Sequence, residues 1–415
     1  MNDSELEKNL KKYAQLITRV GVNVQKGQTI ILYASVTQKH LANLITAEAY
    51  ALGAADVILE WSDIETTRQF LMHASEARIG QVFDYEKDKW QFLADQRVSR
   101  ISLISDDPNA LAEVPSKRIA AYQAAQGLAK RPIMQVTTNN DISWLVVAAA
   151  DPKWAELVFP ELKGDEAVQA LWQAIFKTTL VDQADPIAAW QNKIADLAHH
   201  ADWLNQQAFA ALHYQAPGTD LTVGLPKGHI WVAADAKDAA GNTFVANIPT
   251  EEVFTAPDNL HIDGTVTSTK PLSYGGTIIE GIHLTFERGK VIKATADRGE
   301  EVLLHLLQTD DGAKSLGEIS LVPDDSPISQ SNTIFFNTLF DENASDHMAL
   351  GEAYPFTIEN GSSMTPDELQ RHGMNISQTH VDFMVGSDQM HIDGIKPDGS
   401  TVPVFRNGNW ANNNN

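Results

Sequence analysis

The chain has 415 residues, a formal net charge of -23 at pH 7 and no cysteine. The length favours two domains over one, and the acidity argues against nucleic acids and anionic membranes as partners, because both would be repelled. The absence of cysteine excludes disulfide bonds, thiolate nucleophiles and cysteine-bound zinc, so any metal site must use histidine and carboxylate side chains.

Short apolar segments alternate with helical segments through the first half of the chain. The strand-like runs TIILYAS, ADVILEWS, SRISLIS and SWLVVAAA end at Ser35, Ser62, Ser105 and Ala150. Helical stretches lie between them, and one of these closes at Gly53 as a helix C-cap. Such alternation predicts a doubly wound α/β domain, with a parallel sheet covered by helices on both faces. Neither glycine-rich phosphate-binding motif occurs, so a nucleotide site is not supported.

A helical stretch from about Pro186 to Gln207 precedes a change in sequence pattern. Short alternating segments such as LTVGL, HIWVAA and TVTST follow, separated by Gly, Pro, Asp and Asn. The run FERGKVIK predicts two strands joined by a tight glycine-containing turn. We therefore expect an α/β domain at residues 1–190 and, at residues 191–415, a domain of mainly antiparallel strands that carries the metal site.

The ends and the charge of the chain bear on its location and substrates. The first residues predict an amphipathic helix without the basic start and apolar run of a signal peptide, and no segment approaches the roughly 18 apolar residues of a membrane span. We therefore expect a cytoplasmic protein. The net negative charge either attracts an amine-bearing substrate or only keeps the protein soluble.

Three His-x-Asp triplets occur in the second half, and spacing alone does not distinguish them. His380 and Asp382 lie in THVDFMVG, a predicted strand in which residues i and i+2 share a face and could reach one ion. The triplets at 261–263 and 391–393 are each followed by glycine. We expect these two to mark strand-to-turn transitions, with the aspartate supporting a turn at the glycine.

Two glutamates stand where a metal ligand could lie. Glu252 follows Glu251 close to a proline, and a solvated turn is the simpler interpretation of that pair. Glu318 begins ISLV, a segment typical of a buried strand. A buried carboxylate is costly unless it is paired or bound to metal, and the alternative is an exposed strand start.

The segment DENASDHMALGEAYP adds an acid, an imidazole and a phenol. Asn343 or Ser345 could cap a helical turn and set Glu342 and His347 near its start, where the helix dipole favours a carboxylate. Tyr354 could donate a hydrogen bond to a developing oxyanion, although a tyrosine before proline is more commonly a packed loop residue. Carboxylates together with imidazoles suit Zn²⁺, Mn²⁺ or Co²⁺, held singly or in pairs, which indicates a hydrolase.

Four segments, NIPTEEVFTAPD, LGEISLVP, DENASDHMALGEAYP and THVDFMVG, resemble in order and approximate spacing those of the thermophilic-type metalloaminopeptidases, the family of aminopeptidase T, aminopeptidase S and PepS. The resemblance extends to DPKWAELVFP and ARIGQVFDYEKDKW in the first half. It implies an aminopeptidase that releases N-terminal amino acids from peptides with a free N-terminus. It further implies two divalent metal ions per chain (Zn, Co, Mn or Mg), a bridging hydroxide and a homodimer.

The same resemblance assigns roles to individual residues. The metal ligands of the family fall on Glu252, Glu318, His347, His380 and Asp382. Glu318 is the expected bridge between the ions, Glu342 corresponds to a further ligand or a general base, and Tyr354 matches a tyrosine placed near the metals. Asp346 departs from the small or thiol residue expected in relatives, and its carboxylate either alters metal preference or faces solvent.

Two other functions remain open at this point. A dinuclear hydrolase could act on an acyl-amino acid amide or, less readily, on a phosphoester, since no Arg or Lys cluster accompanies the ligand motifs to receive a phosphate. A non-catalytic binding protein, with a structural metal or none, would be favoured if the carboxylates formed ion pairs at the surface.

Overall fold

A computed structural model describes residues 2–105, 107, 109–274 and 277–411. The chain forms two compact units, residues 1–192 with 235–249 and residues 193–234 with 250–415. In the part of the chain that the structure describes, no helix combines the length and the apolar character needed to cross a membrane.

The first half of the chain alternates strands and helices. Its strands are β1 (Thr29–Ser35), β2 (Asp56–Ser62), β3 (Ser99–Ile104) and β4 (Trp144–Ala148). Its helices are α1 (Asp3–Leu16), α2 (Lys39–Ala51), α3 (Ile64–His73), α4 (Glu76–Ile79), α5 (Asp84–Asp95), α6 (Ser116–Thr138), α7 (Pro152–Val158), α8 (Asp165–Thr178) and α9 (Pro186–Gln207). All four predicted strands and the predicted helices are present, with ends that differ by a few residues.

These strands form a parallel sheet in the order β2-β1-β3-β4. The reversal of strand order beside β1 is characteristic of a doubly wound sheet and confirms the predicted fold class. Helix α2 is followed by Gly53 with a φ of 96°, the left-handed conformation expected just after a helix end. The sequence pattern therefore predicted this region well.

The second half consists mostly of short strands. They are β5 (Ala211–Ala216), β6 (Thr219–Gly224), β7 (Asp235–Lys237), β8 (Thr243–Val245), β9 (Asn247–Ile248), β10 (Val253–Thr255), β11 (Ile262–Thr267), β12 (Leu272–Tyr274), β13 (Thr277–Ile279), β14 (His283–Glu287), β15 (Lys290–Thr295), β16 (Leu316–Leu321), β17 (His347–Gly351), β18 (His380–Met384), β19 (His391–Ile395), β20 (Thr401–Arg406) and β21 (Asn409–Trp410). The helices are α10 (Glu300–Leu306), α11 (Thr338–Asp341) and α12 (Pro366–Arg371).

One excursion of the chain contributes to the first unit. Residues 235–249 form the β7–β8 hairpin and then β9, which pairs in parallel with β4 as a fifth strand of the first sheet. The pairing aligns Val146 with Asn247 and Val147 with Ile248. The first unit is therefore discontinuous in sequence, a feature that the change of pattern near residue 190 does not reveal.

Two large antiparallel sheets build most of the second unit, and β12 and β13 form a separate two-stranded antiparallel sheet. An eight-stranded sheet has the order β15-β14-β11-β6-β5-β19-β20-β21, and a four-stranded sheet has the order β10-β16-β17-β18. Side chains of both sheets share one apolar core, to which Leu221 and Ile392 contribute from the larger sheet and Ile319 and Phe383 from the smaller. The predicted antiparallel character and the β14–β15 hairpin around Gly289 are confirmed.

Two local predictions are wrong. The segment HIWVAA forms only isolated bridges, at His229 and Val232, rather than a strand. Gly264 and Gly394 lie inside β11 and β19 and do not form turns. Each glycine instead leaves room for a neighbour, since a Cβ atom would lie 2.1 Å from the Asp220 carbonyl oxygen at Gly264 and 2.4 Å from the Phe209 ring at Gly394.

Candidate metal centre

One face of the four-stranded sheet collects most of the acidic and histidine residues that the sequence singled out. In the antiparallel register Ser320 lies opposite His347, Glu318 opposite Ala349, and Ala349 opposite Asp382. Because residues two apart on a strand share a face, this face carries Glu318, Ser320, His347, Ala349, His380 and Asp382. Three strands thus bring together side chains that are far apart in sequence.

The strand that carries Glu318 is buried along its whole length. Every residue of β16 and of its neighbour β17 is buried, and Glu318 is 5% exposed. The alternative of an exposed strand start is therefore wrong. A carboxylate in the middle of a sheet requires compensating partners, because burial of an unpaired charge is strongly unfavourable.

Glu252 approaches the same face from the strand next to β16. It directly precedes β10, and both it and Glu251 are buried, at 7% and 6% exposure, so the solvated-turn interpretation is wrong. Glu251 forms an ion pair with Lys193. The carboxylate of Glu252 accepts a hydrogen bond of 2.7 Å from the Ser320 hydroxyl, which fixes its orientation towards the sheet face.

The donor atoms form two groups that share Glu318. Glu252, Glu318 and His347 form the first group, and Glu318, His380 and Asp382 form the second, with the atoms of each group within 4.8 Å of one another. Oε1 of Glu318 lies 3.6 Å from Nε2 of His347, while Oε2 of Glu318 lies 3.6 Å from Nε2 of His380. The two oxygens of one carboxylate therefore face two different histidines.

Both imidazole rings are held with the same nitrogen towards the carboxylates. Nδ1 of His347 lies 3.1 Å from the Ser345 carbonyl oxygen, and Nδ1 of His380 lies 2.8 Å from the Glu352 carbonyl oxygen. A carbonyl oxygen only accepts hydrogen bonds, so Nδ1 carries the proton in each ring. Nε2 is then free to bind a metal ion, an arrangement typical of metal-binding histidines.

The ionisable groups of this face perturb one another strongly. Burial raises the pKa of Glu318. Burial alone would lower the pKa of His380, but the Asp382 carboxylate outweighs it and raises the pKa to about 10. Burial would likewise lower the pKa of His347, but the Glu252 and Glu318 carboxylates outweigh it and hold this pKa well above its usual range. The acids thus create a strongly negative environment that suits a cation.

Glu342 and Tyr354 border this face without entering either donor group. Glu342 follows α11 on a single 3₁₀ turn, and its burial, reinforced by Asp382, raises its pKa well above the usual value. The ring of Tyr354 lies 4.8 Å from that of His380 and stacks on Phe356 at 5.3 Å. Burial, with Glu318 next in effect, raises the pKa of the Tyr354 hydroxyl well above its usual value.

The helical turn near Glu342 is capped differently from the prediction. Asn337, not Asn343 or Ser345, caps α11 by accepting a hydrogen bond of 3.1 Å from the Leu339 amide. Asn343 is fully buried, accepts a bond of 2.8 Å from the amide of Glu251 and donates one of 2.9 Å to the Leu339 carbonyl. It thereby joins the segment that carries Glu252 to the segment that carries Glu342.

The residues present fit a divalent ion. Oδ1 of Asp382 is buried and accepts no hydrogen bond from any residue that the structure describes. In the strand register, Ala349 lies between Glu318 and Asp382, and its side chain is a single methyl group. The carboxylate and imidazole donors on this face match the ligands of zinc and related divalent ions.

Asp346 does not face solvent. It is 1% exposed and accepts a hydrogen bond of 2.9 Å from the Val322 amide, and burial raises its pKa to about 8. It belongs to neither donor group. Ser320 and Ala349 were not expected at this site, and Asn343 was expected there only as a helix cap. Only Ser320 had a sequence signal, its position two residues after Glu318 in a predicted strand.

The chain is similar in sequence and in structure to known proteins over nearly its whole length. A family model described as thermophilic metalloprotease (M29) matches residues 6–410. The chain is 51% identical to aminopeptidase PepS of Streptococcus thermophilus, with 98% of each chain covered, and 48% identical to aminopeptidase AmpS of Bacillus subtilis strain 168, with 97% of this chain and 98% of that one covered. The structure of wild-type AmpT from Thermus thermophilus matches with a TM-score of 0.92 at 39% identity, covering 98% of this chain and 100% of that one.

Proposed function

The chain belongs to the thermophilic metalloprotease (M29) family and is a metal-dependent peptidase, and from this premise we propose that it is an aminopeptidase with two divalent ions per chain. Its relatives PepS and AmpS are named aminopeptidases, and the similarity to this chain covers nearly the whole length of each. The substrates would be peptides with a free N-terminus. The net charge of -23 favours approach of their α-ammonium group.

One observation carries the proposal of two ions. The two oxygens of the buried Glu318 carboxylate face different histidines, His347 and His380, at 3.6 Å each. Glu318 could therefore be shared by two ions, one that Glu252 and His347 would also hold and one that His380 and Asp382 would also hold. The buried Asp382 oxygen without a hydrogen bond supports a ligand on the second side.

Two ions bound by these residues would make water more acidic and would polarise the scissile carbonyl group. The protein residues then complete the reaction. Glu342, buried beside the donor face, would accept the proton of the attacking water and deliver it to the leaving amine. Tyr354, whose ring lies 4.8 Å from that of His380, would donate a hydrogen bond from its hydroxyl to the oxygen that becomes negative. Glu342 is assigned here as general base in preference to a further ligand, because it stands outside both donor groups.

The remaining properties follow from the same premise. We propose a homodimer, since two-fold dimers are the commonest oligomers, and a cytoplasmic location. Zinc, cobalt, manganese and magnesium all remain candidates for the ion, because donor sets of this kind accept several divalent metals.

The test uses the purified protein after chelator treatment. Zn²⁺, Co²⁺, Mn²⁺ or Mg²⁺ is restored separately, and hydrolysis of a free-amine dipeptide is compared with that of its N-acetylated counterpart. Metal-restored cleavage of the free dipeptide alone, with two ions bound per chain, is the expected result. Equal cleavage of both peptides would replace the aminopeptidase by another metallohydrolase, and binding of a single ion would refute the dinuclear site.

A further inference from the structure

A cavity of about 680 Å³ lies in the first unit, where the carboxyl ends of β1 and β2 meet α3 to α6. Its lining includes Tyr33, Glu60, Lys89, Trp90, Tyr122 and Lys130. The volume falls in the range of small-molecule sites, and the carboxyl edge of an open parallel sheet is where such folds bind ligands. None of the residues assigned to the proposed metal centre contributes to this cavity.

Lys130 stands out among the charged groups of the lining. The other charged groups have polar partners: Glu60 with Lys89, Asp63 with the Glu65 amide, Glu86 with the Tyr85 hydroxyl and Arg78 with the Gln81 carbonyl. Lys130 is half-buried and makes no hydrogen bond or ion pair with the residues described here; its ammonium group lies 5.2 Å from the centre of the Trp90 ring. An anion that enters the cavity would stabilise this half-buried, unpaired ammonium group.

A second cation, Arg100, acts on Lys130 from outside the cavity lining. The Arg100 guanidinium lies 5.4 Å from the centre of the Tyr33 ring, and its hydrogen bonds in the described part of the chain go to the Ser102 hydroxyl and the Met134 sulfur. Burial and the Arg100 charge lower the pKa of Lys130, against the opposing effect of the Glu60 and Glu86 carboxylates. In a protein with a net charge of -23, two neighbouring cations without carboxylate partners indicate a place for a negatively charged ligand.

Aromatic side chains supply the rest of the surface. Tyr33 stacks on Trp90 at 6.2 Å, and Phe70 meets Tyr122 edge-on at 6.0 Å. Trp90 is 5% exposed, and its indole nitrogen has no hydrogen-bond partner among the residues that the structure describes. Trp61, at the end of β2, exposes 40% of its surface. Such walls favour a flat apolar ring, while a phosphate would require more donors than one lysine supplies.

We propose that this cavity binds a small aromatic carboxylate, with the acid group at the Lys130 ammonium group and the ring against the aromatic wall. The site is independent of the proposed peptidase chemistry. It requires only the first unit and the charge at position 130.

Isothermal titration calorimetry of the intact protein tests this site with phenylacetate, 3-phenylpropionate and indole-3-acetate, and with the corresponding neutral amides. At least one acid should bind with a Kd below about 1 mM, and its amide at least tenfold more weakly, because the amide lacks the charge that Lys130 selects. Lys130→Gln should weaken binding of the acid at least tenfold, and Lys130→Arg should retain it.

Lys117→Gln is the matched control, since Lys117 lies on the same helix, is 85% exposed and pairs with Glu76 at 3.8 Å. It should leave the affinity unchanged. The proposal is overturned if none of the three acids binds, if an amide binds as tightly as its acid, or if Lys130→Gln binds like the unmodified protein. The last outcome would assign any observed carboxylate binding to another site, including bound metal ions.

Discussion

The four-stranded and eight-stranded sheets of the second unit contain the same short motif with different consequences. In the four-stranded sheet, Nε2 of His380 and Oδ1 of Asp382 lie 3.5 Å apart and both face Glu318. In the eight-stranded sheet the two residues of a triplet separate. His261 bonds to Asp258 at 2.8 Å, and Asp263 accepts a bond of 2.8 Å from the Arg288 amide.

The aspartate of the third triplet also pairs with a residue outside its own triplet. Asp393 lies on β19, and its carboxylate pairs with Arg406 of the adjacent strand at 2.5 Å. A His-x-Asp spacing therefore places two side chains on one face, but the neighbouring strands decide whether they meet a further carboxylate or a cation. The four-stranded sheet supplies Glu318 from the strand beyond β17, and the eight-stranded sheet supplies Arg406.

The largest expected effect comes from removing the charge of Glu318, the carboxylate that both donor groups share. If Glu318 is shared by two ions as proposed, Glu318→Gln should retain the fold, because the amide has the same shape, but lose those ions and lower kcat/KM by roughly a thousandfold or more, since such ions supply several kcal/mol of stabilisation. Metal analysis and peptide hydrolysis measure both effects. Glu287→Gln in the eight-stranded sheet is the control, and full turnover of the Glu318 variant would remove its assignment as a bridge.

The next prediction compares aspartates of two triplets. Asp382→Asn should lower metal affinity at least about a hundredfold, because even outer contacts of metal ligands contribute ten- to a hundredfold. Asp393→Asn should leave metal binding unchanged and lower the free energy of unfolding by at most about 1 kcal/mol, since its ion pair with Arg406 is partly exposed. Calorimetric metal titration and urea unfolding separate the two results. Equal loss of metal in both variants would contradict the contrast between the sheets.

A smaller effect is expected from the hydroxyl group that orients Glu252. Ser320→Ala should weaken metal binding about tenfold to a hundredfold, because the 2.7 Å bond to Glu252 is lost. Ser268→Ala is a control of the same chemical change, since the buried Ser268 hydroxyl is likewise hydrogen-bonded, in this case as the acceptor of a 2.9 Å bond from the Ile282 amide beside the eight-stranded sheet. If both variants bound metal like the unmodified protein, Glu252 would need no such support.

The smallest expected effect is on stability and concerns Asp310, a carboxylate that accepts hydrogen bonds from Ser377 and Gln378. Burial of Asp310 opposes ionisation, but the Gln378 amide and the Ser377 hydroxyl outweigh it and lower the pKa below 3.8. Because the folded pKa lies below the unfolded one, the stabilisation is present above 3.8 and is lost as pH falls through the folded value. Because solvent screens this largely exposed carboxylate, Asp310→Asn should lower the free energy of unfolding by only a few tenths of a kcal/mol at pH 6, and by progressively less below pH 3.8, in urea unfolding. A cost that is constant with pH would show that the charge of Asp310 is not involved.

Prediction from sequence succeeded where local pattern determines structure. The runs that end at Ser35 and Ser105 became strands because β-branched and apolar residues fill the buried middle of a parallel sheet. It failed at Glu251 and Glu252, which a turn beside proline would expose, because burial there depends on Lys193 and Asn343, which are distant in sequence. The role of Ala349 was invisible for the same reason, since a small residue acquires meaning only from the side chains that surround it.

The excursion at residues 235–249 has a consequence for dissecting this protein. A fragment that ends at Asn192 would lack β9 and leave the amide of Val146, which otherwise donates to the Ala246 carbonyl at 2.8 Å, on an open sheet edge. Open edges of this kind recruit strands from other copies and promote aggregation. Separate production of the first unit therefore requires a chain in which residues 235–249 are joined behind residue 192 by a linker, so that β4 regains its neighbour.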